Sequence, residues 1–189
     1  VPPRDIRTLQ TRLHTAQATI QSQEEILQSS RKRRAMSQNE KFITEPEAIK
    51  AVIRRCNVCR LALARDNEPY IVPVCFGFDG HTLYIHTGTT GRKIEFFEAN
   101  PWVCFEFEDH ARVIADSDKP CAWSMAYTSV VGNGRIRELH TEDEKVGGLN
   151  QIMNHYSGKS WVMPRERMDS VRVWAVDIES MRGKSSQIS

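Results

Sequence analysis

A switch of hydrophobic period between Leu83 and Pro101 (LYIHTGTTGRKIEFFEANP) implies a strand that feeds a helix through a short loop. Leu83, Ile85 and Thr87 alternate with Tyr84 and His86, as side chains do on the two faces of a strand. The alternation stops at Thr87, Gly88, Thr89, Thr90 and Gly91, a bend of small and hydroxyl-bearing residues. Ile94, Phe97 and the Ala99 region then share one helical face until Asn100-Pro101 ends it. Thr90 is the expected N-cap, and the free N–H groups of the helix point back into the bend. Arg92 and Lys93 stand in the first turn, where the macrodipole disfavours cations unless an anion is close. Amides, threonine hydroxyls, a guanidinium fork and an ammonium together describe a phosphate seat. The same residues also suit a plain surface helix with two solvated cations.

The remaining segments are short and mostly extended. Thr44-Glu45-Pro46-Glu47 reads as a capping box for a helix from about Glu45 to Cys56, with Ile49, Val52 and Ile53 on its buried face. Arg60 to Ala64 and Tyr70 to Phe78 flank an Asp66-Asn67 turn, and Asp79-Gly80 joins the second strand to Leu83–Thr87 as a hairpin. Trp102 to Glu108 alternates as a strand. Ala122 to Leu139 is one bent strand or two, with Gly132 and Gly134 at the bend. Thr141-Glu142-Asp143-Glu144 opens a second capped helix carrying Val146, Leu149, Ile152 and Met153, and Val171 to Ile178 forms a last strand. About six antiparallel strands with few, short helices predict a mainly β, α+β domain built as a closed or split barrel.

Residues 1–40 differ in character: they hold no aromatic side chain, and Ile6, Leu9, Leu13, Ala16, Ile20 and Leu27 form a thin heptad seam. They read as an N-terminal extension, helical or frayed, ahead of a domain over residues 41–189. A hydrophobic content of 40% is enough for a packed core. A formal charge of only +2, with Arg31 to Arg34 the longest cationic run, makes no case for nucleic acid. No apolar run approaches the ~20 residues of a membrane span. Five scattered cysteines suit a reducing cytoplasm better than a secreted disulfide framework.

Several chemistries are excluded. The chain has neither the Gly-x-Gly-x-x-Gly dinucleotide fingerprint nor a Walker lysine motif. Cys56-Asn57-Val58-Cys59 has the spacing of a zinc or redox pair but stands alone, and buried structural cysteines are the simpler reading. His86 closes a strand beside the bend, where it could bind a ligand edge, donate a proton or coordinate haem iron, or be a half-buried histidine bonded to backbone.

Four blocks in order, CNVCRLALARDNEPYIVP, LYIHTGTTGRKIEFFEANPWVCFE, CAWSMAYTSVVGNGRIREL and HYSGKSW, resemble the nitroimidazole-resistance-like branch of the pyridoxamine 5′-phosphate oxidase-like FMN-binding split barrels. The similarity covers about Glu40 to Ser185. It implies a six-stranded antiparallel split β-barrel, assembled as a homodimer with one FMN at each of two interface sites. By the same resemblance, Arg92 and Lys93 grip the FMN phosphate with Thr87 beside them. Val72, Pro73 and Val74 run along the isoalloxazine, Ser129 supplies a polar contact from a later strand, and His86 lies near the flavin as the candidate catalytic residue. The implied activity is reduction of small nitroaromatic compounds such as 5-nitroimidazoles, and the alternative is a haem- or flavin-binding protein without reductase activity. The arginine and histidine segment that holds substrate in true pyridoxamine-phosphate oxidases has no counterpart in MRGKSSQIS, which argues against vitamin B6 oxidation. Trp123, Met125 and Tyr127 share one strand face, either lining an aromatic cleft or forming a core stripe.

Overall fold

The computed structural model describes Gln21 and residues 41–186. The seam from Ile6 to Leu27 lies outside the described residues. In chain order the elements are β1 (Lys41–Ile43), α1 (Pro46–Arg55), β2 (Cys59–Arg65), β3 (Glu68–Val74), β4 (Gly77–Phe78), β5 (Thr82–Thr87), α2 (Arg92–Ala99), β6 (Trp102–Ile114), β7 (Ser124–Leu139), α3 (Glu142–Ser157) and β8 (Arg172–Ser186). The strands form one sheet in the order β3-β2-β6-β7-β8-β5-β4, with β1 paired to β8. Every ladder along that path is antiparallel. Six strands are long; β1 and β4 have three and two residues. The path does not return from β4 to β3, so the barrel is split.

Alternation explains the core. In β5, Leu83, Ile85 and Thr87 are buried while His86 is exposed. Leu61, Phe105, Phe107, Val130 and Val176 fill the interior from other strands, and Phe76 from the β3–β4 connection. Asp66 and Asn67 take φ of 49° and 65°, the left-handed pair that a two-residue hairpin turn needs and that short polar side chains tolerate. β7 is one strand, with its irregularity between Asn133 and Gly134. β6 runs past Glu108 to Ile114 through a bulge between Asp109 and Arg112, where His110 has φ 56°.

Two expected helix starts are shifted. Helix α1 begins at Pro46 with Glu45 as N-cap and no side-chain cap, so the box at Thr44 does not form. The proline disfavours helical geometry at the preceding residue, and Glu45 stays extended at φ −75°, ψ 120°. Helix α2 is entered through Gly91 at φ 136°, ψ 161°, not capped by Thr90. That conformation is almost restricted to glycine. The box on α3 forms as expected: Thr141 Oγ1 accepts from the Glu144 amide at 3.3 Å and Glu144 Oε2 accepts from the Thr141 amide at 3.0 Å.

The outer face of β5, β8 and β7 is covered at one end by α3, where Tyr84 and Leu149 pack on Leu139, Val173 and Ala175. A Cβ at Gly148 would stand 2.9 Å from Val173 and 3.0 Å from Leu139, so this glycine allows the close approach.

Candidate functional site

The start of α2 is open. No side chain caps its first turn, which leaves the amides of Arg92 and Lys93 to solvent or an anion. The two cations differ in their surroundings. Arg92 donates to Glu68 on β3 and lies over the Tyr70 ring, its guanidinium carbon 4.6 Å from the centroid. Lys93 forms no ion pair among the described residues. Glu68 is shared with Arg65, 3.5 Å from its other oxygen, and Arg65 also reaches Glu95 at 3.3 Å. These contacts place the open helix start against the turn end of the edge strand that carries Val72, Pro73 and Val74.

Thr87 faces inward. Its hydroxyl donates to the Gly88 carbonyl at 2.8 Å and accepts the Trp174 indole N–H at 3.0 Å, which commits it to the fold. Beneath it, Arg172 ties Glu138 (Nε to Oε1, 2.8 Å) to Glu98 (2.8 Å) and covers the Trp174 ring. The Arg172 hydrogen bond holds the Glu138 carboxyl below its ordinary range.

His86 points outward and is exposed, in the same row as Val173 and Leu139 of the α3-covered end. Its side chain is exposed and has no hydrogen-bond partner among the described residues, so the reading of a half-buried, backbone-bonded histidine does not apply. Two residues before it on the same face, Tyr84 donates to Asp79 at 2.8 Å. Burial and then that bond push the Tyr84 phenol up. Against burial, which would raise it, the amides of His81 and Thr82 and the Tyr84 hydroxyl hold Asp79 below its usual range.

On β3, Val72 and Val74 turn toward the core and Pro73 is exposed. Ser129, half-buried on β7, pairs with Glu108 of β6 and Lys184 of β8. The row that contains His86 crosses β7 at Leu139, so Ser129 lies ten residues away along that strand, on the order of 30 Å if extended. Within one chain the Arg92–Glu68 contact joins the start of α2 to β3, and Ser129 is far from His86. Trp123 and Met125 are 56% and 46% exposed on the β6–β7 hairpin, so they are not a core stripe.

Sequence reasoning missed the clamp at the end of α3. His155 Nε2 lies 2.8 Å from the Cys56 carbonyl, while Tyr156 donates to the Asn57 carbonyl at 2.8 Å and accepts from the Phe76 amide at 3.1 Å. Burial pushes the Tyr156 phenol up to about 12. The only signal is that HYSGKSW is one of the four blocks that carry the family resemblance; nothing in its spacing names the carbonyls it holds. Cys56 and Cys59 are buried as expected, with the Cys56 thiol pushed up to about 11 chiefly by burial. Cys75 and Cys121, in contrast, are exposed, and Cys104 is half-buried: Cys75 follows the end of β3, Cys121 lies in the 3-10 turn Pro120–Ala122 before β7, and Cys104 is on β6. Among the described residues no group of three or more His, Cys, Asp or Glu is placed to hold a metal, and no helix is long and apolar enough to cross a membrane.

The architecture is a split antiparallel barrel with an open helix start beside its edge strand. Residues 45–185 match the profile of the pyridoxamine 5′-phosphate oxidase family, and the chain belongs to that family. Its structure resembles a candidate 5-nitroimidazole antibiotic resistance protein of Bacteroides thetaiotaomicron, with 29% identity, TM-score 0.68, and coverage of 77% of this chain and 86% of that one. It shares its fold with the FAD and haem binding protein of Mycobacterium smegmatis, at 20% identity, TM-score 0.70, and coverage of 79% and 75%. An uncharacterised protein of Rhizobium meliloti is 31% identical over 93 residues, 49% of this chain. The chain spans about half, 54%, of that relative's length.

Proposed function

We propose that the chain is an FMN-binding flavoprotein that reduces small nitroaromatic compounds such as 5-nitroimidazoles, working as a cytoplasmic homodimer. The observation that carries this reading is the uncapped start of α2, set against edge strand β3, where Lys93 has no ion pair among the described residues. The likeness to a candidate 5-nitroimidazole resistance protein supports the substrate class.

The residues present fit a phosphate-ended planar group. Lys93 and the first α2 amides supply charge and donors with no competing side-chain cap. Thr87 contributes by fixing the strand end through Trp174, not by offering its hydroxyl. Prolines on edge strand β3 bond to β2 only through their neighbours, so Pro73 turns its carbonyl to the free edge. Val72 and Val74 hold that segment to the core. Ser129, remote from His86 within one chain, belongs in this reading to a second copy, which makes the dimer part of the site. When bound, a flavin supplies the electron-pair transfer, and the protein orients the acceptor and manages protons. In this reading His86, exposed and without a side-chain partner among the described residues, donates a proton as the nitro group is reduced.

The test is the absorption spectrum of the purified protein, as isolated and after adding FMN, followed by reduction of a 5-nitroimidazole with a nicotinamide or photochemical reductant supplied to re-reduce the flavin. Flavin bands and turnover are expected; a protein that never acquires flavin overturns the reading. A second reading, a haem- or flavin-binding barrel without reductase activity, is favoured by the fold shared with a FAD and haem binding protein and by the free imidazole of His86. It predicts a Soret band that disappears in His86→Ala.

A further inference from the structure

The carboxylate of Glu68 occupies the guanidinium that the phosphate reading assigns to the ligand. Glu68 leads edge strand β3, and one of its oxygens receives Arg92 Nη2 while the other lies 3.5 Å from Arg65 Nη2. Arg92 is held there by two rings: its guanidinium carbon lies 4.6 Å from the Tyr70 centroid and 5.7 Å from that of Phe96. The acid thus sits between two arginines. Its contact to Arg92 is the shorter, and Arg65 is near enough to take it over without movement of the backbone. Lys93, the next residue on α2, has no such competitor among the described residues.

We propose that Glu68 is a built-in competitor for the phosphate of the flavin, a residue that sets how tightly the seat holds a phosphate-ended ligand. With no ligand, Glu68 neutralises Arg92. An arriving phosphate monoester carries more charge at neutral pH and several acceptor oxygens. It takes Arg92, and Glu68 passes to Arg65. Lys93 makes the first contact, and Arg92 adds only what is left after Glu68 has been exchanged. Ligands without a phosphate do not trigger the exchange. This inference rests on the FMN reading of the same site.

The experiment measures dissociation constants for FMN and riboflavin, by quenching of flavin fluorescence, in the wild-type chain, Glu68→Gln and the control Glu47→Gln. Glu47 is a carboxylate on α1, paired with Lys50, whose replacement changes net charge equally. Glu68→Gln is expected to bind FMN about 3-fold more tightly, the scale of one exposed ion pair, with riboflavin unchanged. The gain should shrink as salt rises. The control should move neither ligand. Equal or weaker FMN binding by Glu68→Gln overturns the competitor role, as does an equal gain for riboflavin or for the control. Absence of FMN binding by the wild-type chain overturns the flavin reading itself, and this inference with it.

Discussion

Trp174 on β8 donates its indole N–H to Thr87 Oγ1 on β5 at 3.0 Å, both side chains buried, and so fixes the strand end from which the α2 bend departs. Thr87→Val keeps the shape and removes the acceptor, leaving a buried donor without a partner. Denaturant unfolding should show a loss of about 1–3 kcal/mol. A change smaller than a few tenths would mean that water replaces the hydroxyl.

Arg92 and Lys93 are adjacent in sequence but unequal in surroundings, and titration with FMN should separate them. Replacing both by alanine is expected to weaken FMN binding at least about 10-fold, since charge-assisted hydrogen bonds contribute about 1.5–3 kcal/mol each. Lys93→Ala alone should account for most of that loss, because Arg92 must first release Glu68. An Arg92→Ala effect larger than that of Lys93→Ala would contradict this order.

Helix α3 carries two consecutive glycines with opposite expectations. A Cβ at Gly148 meets Val173, Leu139 and Tyr84 within 3.2 Å, whereas one at Gly147 meets nothing within 4 Å. Gly148→Ala should destabilise by about 1–3 kcal/mol through overpacking. Gly147→Ala should stabilise by up to about 1 kcal/mol through helix propensity. Thermal melts of the two variants should move in opposite directions.

Glu138 gives an acid-side dependence. The hydrogen bond from Arg172 depresses its folded pKa below the ordinary 4.5. Its contribution to stability is therefore full above that ordinary value and is lost as pH falls through the depressed one. Unfolding midpoints measured from pH 6 downward should fall more steeply in the wild-type chain than in Glu138→Gln over this range.

Much of the barrel was legible because its strands bury one face: alternation at Leu83, Ile85 and Thr87, the Asp66-Asn67 turn and the Thr141 box each carry a local signal. Helix starts at Glu45 and Gly91 were misplaced by one residue, since a single backbone conformation, set by the following proline or by glycine itself, outweighed a side-chain cap. The pairing of Arg92 with Glu68 and of Tyr156 with Asn57 and Phe76 was not legible. Those partners are 24, 99 and 80 residues apart and meet only through the sheet. The exposure of Trp123 and Met125 was hidden for a related reason: β6 and β7 continue beyond the barrel as a hairpin, and periodicity does not say where a strand leaves the core.

Strand β3 lies at the margin of the sheet, where another polypeptide could add by backbone pairing. Pro69, Ile71 and Pro73 share the register whose amides face away from β2, and two of these three positions have no N–H to give. A stray strand would find carbonyls there but a single donor, too few to zip a ladder. The exposed margin of the sheet is thereby made a poor template for aggregation.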